Sequence, residues 1–233
     1  MAKLENIYPL SHFKVVIFDC DGVLLDSEDI AGKVEIEALK GLGISAELDA
    51  YNRRFAGVTT VTALQTIANE NGIYITDDWI KEVEQKIVEA LVQEVKVIPY
   101  VQQTLQSIKL PKAVASNSHY DHLFRLLHTR NLDHYFEGHI FSADMVERPK
   151  PYPDLYRYVA KHMGVSPSEC LVIEDSPTGT QSAHEAGMKV LGFIGTHQGR
   201  EVGDSRLFKA GADVVFNDMS QLPKLIEVEN YGS

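Results

Sequence analysis

Short apolar runs alternate along this chain with longer stretches in which apolar residues recur every three or four positions. The runs are VVIFD (15–19), KAVAS (112–116), GHIFSA (138–143), CLVIED (170–175), KVLGFIG (189–195) and DVVF (213–216). Runs of four to six apolar residues between turn residues fit strands buried on both faces. The segments between them read as helices. In 121–132, Leu123, Leu126, Leu127 and Arg130 lie at helical spacing. The segment 153–164 carries Pro153 near its start and Gly164 at its end, and 177–187 runs from Pro177 to Gly187. Proline opens helices readily and glycine closes them. Strand–helix alternation predicts an α/β fold with a mostly parallel, doubly wound sheet.

One stretch interrupts the alternation. From about 28 to 94 no strand pattern is evident, and helical patterns end at Gly43 and Gly72. A last pattern follows Asp77 and Asp78, with Ile80, Val83, Ile87, Leu91 and Val95 forming an amphipathic stripe. A block of this length is too long for an ordinary crossover between adjacent strands. The expected organisation is an α/β core built from 1–27 and 96–233, with a helical domain, 28–95, inserted after the first strand.

Composition narrows the function. The 233 residues suit one core domain with an insertion. The net charge of -11 argues against nucleic acid, whose backbone needs a basic face. No stretch approaches the roughly 18 apolar residues of a membrane span. Nor do the first residues hold an apolar core of signal-peptide length. The two cysteines, Cys20 and Cys170, have no metal-site or disulfide-framework spacing. A cytoplasmic setting is therefore expected. If the substrate is anionic, local positive charge must come from a metal, a few basic side chains or helix N-termini.

Polar groups close several of the apolar runs. Asp19 ends the first and is followed by Asp21 and Gly22. Alternate residues of an extended chain point the same way, so the two carboxylates could face one site. A surface turn with two acids is the plainer alternative. Yet acids directly after a buried strand are costly unless they are used or satisfied. Ser116-Asn117-Ser118 closes the second run, where a hydroxyl and backbone N–H groups could hold a phosphate oxygen. It could equally be an ordinary turn. Glu174-Asp175-Ser176 closes CLVI just before Pro177. Here Asp175 or Ser176 could simply cap a helix. With Asp19, this acidic pair would make an all-oxygen site suited to Mg²⁺. Arg148-Pro149-Lys150-Pro151 presents Lys150 on a backbone that two prolines restrict. That lysine is either a solvated loop residue or a fixed ammonium able to neutralise a carboxylate or a phosphoryl group.

Taken in order, these four elements resemble the haloacid dehalogenase-like hydrolase superfamily. The matching residues are Asp-x-Asp-Gly-x-x-x-Asp-Ser (19–27), the strand-terminal Ser116, Lys150 in a Lys-Pro context, and Glu174-Asp175. The resemblance covers nearly the whole chain. The insert is similar to the helical cap of the β-phosphoglucomutase and phosphoglycolate phosphatase group. The resemblance implies that Asp19 attacks phosphorus to form an aspartyl-phosphate, and that Asp21 serves as acid and then as base. It further implies Mg²⁺ on the Asp19 side chain, the Asp21 carbonyl and Asp175, with Glu174 alongside directly or through water. Ser116, the Asn117 backbone and Lys150 would hold the phosphoryl oxygens.

Departures from relatives choose among reactions. Dehalogenases and phosphonoacetaldehyde hydrolases lack the second aspartate of the first motif, which Asp21 supplies here. The mutases carry a cap histidine and a cap-loop arginine where this chain has Ala31 and Thr60. The expectation is therefore a phosphatase acting on a small phosphorylated metabolite, a sugar phosphate or sugar-acid phosphate. A phosphosugar mutase and a non-catalytic phospho-ligand binding protein are the alternatives. Specificity is expected from the cap loop around Arg53, Arg54, Gly57 and Thr59, where an arginine could meet a second anionic group or simply be solvated. A monomer is expected, since the cap would cover the site without a second subunit.

Overall fold

The apolar runs form strands that need apolar residues on both sides, because helices cover both faces of the sheet. The computed structural model describes residues 12–55, 58–196 and 203–226. In chain order the first elements are β1 (Val15–Phe18), β2 (Leu25–Asp26), α1 (Glu28–Gly41), α2 (Leu48–Phe55), α3 (Thr60–Glu70), α4 (Asp77–Glu94) and β3 (Lys96–Val97). Then come α5 (Val101–Ser107), β4 (Lys112–Ser116), α6 (Tyr120–Thr129), β5 (Ile140–Ser142), α7 (Asp154–His162) and β6 (Cys170–Glu174). The last are α8 (Pro177–Glu185), β7 (Lys189–Phe193), α9 (Gly203–Ala210), β8 (Val214–Phe216) and α10 (Leu222–Ile226). The strand pairs are parallel and run in the order β5-β4-β1-β6-β7-β8, while β2 and β3 pair separately.

Alternation along each strand divides the core. Val15, Ile17, Ala113, Ala115, Cys170 and Val172 pack with Leu155, Tyr156 and Val159 of α7 and Ala183 of α8. On intervening positions, Val16, Phe18, Val114, Leu171 and Ile173 are equally buried, and Phe18 meets the edge of Phe136 at 6.3 Å. The register sets the site. Phe18 lies opposite Ile173 and Val114, so β1, β4 and β6 end at neighbouring points. Their carboxyl ends carry Asp19, Ser116 and Glu174. Ligands bind at this edge of open α/β sheets.

Two compact units divide the chain: Met1–Leu24 with Val97–Ser233, and Leu25–Lys96. The second is helical. α1 packs along α4 and against α2 and α3. Its interior includes Leu39, Ala63, Leu64, Ile80, Val83, Ile87 and Leu91, the last four from the stripe on α4. Thr59 and Thr76 cap α3 and α4, accepting hydrogen bonds from the Thr62 and Trp79 N–H groups. Glu35 is the exception among these buried residues, since it carries a carboxyl group and is only 6% exposed.

Burial pushes the Glu35 carboxyl above its ordinary value of 4.5, and the Thr60 and Tyr51 hydroxyls offset this only in part. Folded Glu35 thus holds its proton more tightly than unfolded Glu35. Its contribution to stability is complete below pH 4.5 and is lost as pH rises through the folded value. Glu35→Gln removes this dependence. Relative to that variant, the wild-type melting temperature should fall as pH rises above 4.5. Parallel melting curves across that range would contradict the reading.

Candidate active site

Lys150 is the centre of the site. Its Nζ donates to Asp19 Oδ1 at 2.7 Å, Glu174 Oε1 at 2.7 Å and the Ala115 carbonyl at 2.8 Å. Three donors are all an ammonium has. The side chain is 4% exposed, and Nζ also lies 4.9 Å from the Tyr156 ring centroid. Lys150 reaches this point because its backbone is fixed. Asn117 Oδ1 accepts from Lys150 N–H at 3.0 Å, and Asn117 Nδ2 donates to the Lys150 carbonyl at 3.1 Å. The Lys150–Pro151 peptide is cis.

The acids converge on this ammonium. Carboxylate oxygens of Asp19, Glu174 and Asp175 lie within 4.8 Å of one another, and all three residues are buried. Such a cluster of hard oxygen donors fits Mg²⁺. With all three acids ionised, one lysine leaves an excess of two negative charges, which a divalent cation would balance. Burial, and then the Glu174, Asp175 and Asp21 charges, hold the Asp19 carboxyl well above the usual aspartate range; Lys150 opposes them. Burial works against the Lys150 ammonium, but Asp19 and Glu174 outweigh it and hold its proton more firmly than usual.

Two glycines let the backbone close around these acids. Gly22 has φ +77°, and a Cβ there would sit 1.8 Å from Asp175 Oδ2. A Cβ on Gly179, in the first turn of α8, would sit 1.6 Å from Glu174 Oε1. Ser176 caps α8 by accepting from Gly179 N–H at 3.0 Å, with Pro177 in the first turn. Of the two capping candidates, Ser176 takes the role.

Other site residues are placed as follows. Ser116 is 1% exposed, and its Oγ accepts from Ser118 N–H at 3.1 Å. Asp21 is half-buried, and its Oδ2 accepts from Ser118 Oγ at 3.3 Å. Arg148 pairs with Asp154 through two hydrogen bonds on the surface. In the helical unit, Arg54 is paired with Glu70, Arg53 is exposed, and Thr59 is occupied as a cap. Gly57 lies outside the described residues.

Several contacts at the site are not evident in the sequence. Tyr156 donates to Glu174 Oε1 at 2.9 Å from the middle of α7, where it reads as one more core aromatic. Ser118 was visible in the Ser-Asn-Ser turn, but not its reach across 97 positions to Asp21. The sequence points to the Asn117 backbone, whereas the Asn117 side chain clamps Lys150.

The parallel α/β sheet thus gathers three acids at its carboxyl edge around one buried lysine. A family model described as haloacid dehalogenase-like hydrolase matches residues 16–193. The chain belongs to that family. The 6-phosphogluconate phosphatase of Escherichia coli (strain K12) is 29% identical over 217 residues, covering 93% of this chain and 96% of that protein. The fructose-1-phosphate phosphatase of the same organism is 31% identical over 179 residues, covering 76% and 94%. A crystal structure of a haloacid dehalogenase-like protein of unknown function from Agrobacterium tumefaciens superposes with TM-score 0.83 at 36% identity, covering 92% and 97%. The chain is a phosphoric monoester hydrolase. Among the described residues, no helix is long and apolar enough to cross a membrane.

The Gly22 contact makes a direct test. A left-handed conformation costs a non-glycine residue about 1–2 kcal/mol, and the clash with Asp175 adds to that. Gly22→Ala should lower the melting temperature by roughly 3–8 °C. Phosphatase activity should fall at least about tenfold, as catalysis does when reacting groups are misplaced by an ångström. An active, equally stable variant would mean that the close approach of Gly22 to Asp175 is dispensable.

Proposed function

We propose that this chain is a Mg²⁺-dependent phosphatase that hydrolyses a sugar phosphate or sugar-acid phosphate through an aspartyl-phosphate on Asp19. The observation that carries this reading is the Lys150–Asp19 pair. A carboxylate fixed by a buried ammonium at a strand end, with a second acid two residues on, supports a nucleophilic role for Asp19.

The residues support the following sequence. An Asp19 oxygen attacks phosphorus, and the bond to the leaving oxygen breaks. Asp21 gives that oxygen a proton, so the sugar leaves as the neutral alcohol. Asp21 then takes a proton from water, whose oxygen attacks the phosphorus of the aspartyl-phosphate. Phosphate leaves and Asp19 is restored. Ser116 and the backbone after it lie at the adjacent strand end, where they can donate to phosphoryl oxygens. Asp19, Asp175 and the Asp21 carbonyl would hold Mg²⁺, with Glu174 in the same cluster. When bound, the ion would offset the charge on the phosphoryl group.

Water, rather than a sugar hydroxyl, is the favoured acceptor of the phosphoryl group. A mutase must hold a second hydroxyl in line, and Ala31 and Thr60 replace the mutase group's histidine and arginine. The substrate class rests on relatives whose names specify 6-phosphogluconate and fructose 1-phosphate. Both arginines lie in the last turn of α2 rather than in a loop; Arg53 is the better candidate for a substrate carboxylate, because Glu70 already pairs with Arg54. Two free, buried thiols, Cys20 and Cys170, agree with a reducing cytoplasm.

The test is phosphate release by purified protein from a panel of phosphorylated sugars and sugar acids. Mg²⁺ should support turnover, a chelator should abolish it, and added Mg²⁺ should restore it. Asp19→Asn should lose at least about a thousandfold in kcat while remaining folded. Turnover in excess chelator, or an Asp19→Asn enzyme within about tenfold of wild type, would overturn the mechanism.

A further inference from the structure

The Glu174 carboxylate has its hydrogen-bonding capacity filled by protein. Oε1 accepts from Lys150 Nζ at 2.7 Å and from the Tyr156 hydroxyl at 2.9 Å. Oε2 accepts from Ser176 N–H at 3.2 Å and from Ser176 Oγ at 3.0 Å. A carboxylate offers about four acceptor positions, and four donors take them here. Glu174 is 0% exposed, and Gly179 is pressed so closely against Oε1 that a methyl group would not fit. Proximity alone would count Glu174 with Asp19 and Asp175 as a ligand. Its donors argue for another role.

We propose that Tyr156 and Glu174 are positioning residues that aim Lys150 at Asp19, and that Glu174 does not ligate the cation directly. The proposal rests on the reading of Asp19 as nucleophile. Tyr156 is suited to this task. Its ring lies beside the Lys150 ammonium at 4.9 Å from the centroid, and its hydroxyl meets the same Glu174 oxygen that Lys150 uses. One side chain therefore touches both members of the pair, from α7, which is packed on β4 and α8. Ser176 fixes the other oxygen, and as N-cap it ties Glu174 to the start of α8. Held from both sides, Glu174 cannot swing toward a cation without giving up a donor, and each donor it gave up would be left buried and unpaired.

Tyr156→Phe tests this, because it removes one hydroxyl and leaves ring and charge in place. The measurements are Mg²⁺ affinity by isothermal titration calorimetry, kcat and KM on the best panel substrate, and the melting temperature. If Glu174 only positions Lys150, Mg²⁺ affinity stays within about threefold, while kcat falls about tenfold and KM stays within about twofold. If Tyr156 orients a metal ligand, Mg²⁺ affinity itself drops, since such supporting partners are worth roughly 10–100-fold. That drop would overturn the proposal, as would an unchanged kcat. A purely structural role would lower the melting temperature without the split between kcat and KM, and would also count against it. Ser176→Gly provides a second variant. Glycine remains a tolerated cap, so the helix persists while Oε2 loses one donor. It should show the same pattern. A wild-type enzyme without Mg²⁺-dependent turnover would instead refute the proposed function, and so the two failures are separable.

Discussion

A single buried ammonium, Lys150, holds this site together. It bridges Asp19 and Glu174 at 2.7 Å each and donates its third proton to the Ala115 carbonyl. Charges this deep are costly unless paired, and removing one partner of a buried pair typically destabilises by about 3–5 kcal/mol. The surroundings answer that demand piece by piece. Asn117 grips the Lys150 backbone from both sides. The register of β1, β4 and β6, with Phe18 opposite Val114 and Ile173, sets Asp19, Ala115 and Glu174 side by side just beyond it. Gly22 and Gly179 remove the side chains that would keep the acids apart. The balance is still incomplete, because one cation faces three clustered acids. That residual charge is the physical reason to expect a divalent ion, without which the clustered acids would repel an anionic substrate.

The sheet was legible because its physics is local. Strands covered by helices on both faces must be apolar throughout, and VVIF, KAVAS and CLVIE read that way. The strand-end polar groups were legible for the complementary reason, since acids there are expensive without a use. Boundaries were less so. The strand read over 189–195 stops at Phe193, and the helix read to 132 ends at Thr129, ahead of Asn131 at φ 55°. The two-residue strands Leu25–Asp26 and Lys96–Val97 are too short to show a period.

What the sequence could not show was the set of contacts that join distant residues. Lys150 and Asp19 are 131 positions apart, and Asn117 at the end of β4 holds the loop that brings them together. Tyr156 looks like any aromatic on the buried face of α7 until Glu174 is found beside its hydroxyl. The helical unit illustrates the same limit. Arg53 and Arg54 are exposed neighbours of the same type, yet it is Arg54 that pairs with Glu70. Glu35 lay unremarked within a helical pattern, although it is a buried carboxyl. Chemistry concentrated at strand ends leaves a sequence signature, whereas selection spread over helix surfaces leaves little.

The central claim is that Asp19 carries the phosphoryl group during turnover. Rapid acid quenching of a single turnover with the best sugar phosphate, followed by peptide mapping, tests it directly. The account predicts phosphate on the peptide containing Asp19, labile to hydroxylamine as an acyl phosphate is, and absent from Asp19→Asn. Phosphate trapped on another residue such as Ser116, or no hydroxylamine-labile phosphate at any time in the turnover, would contradict it.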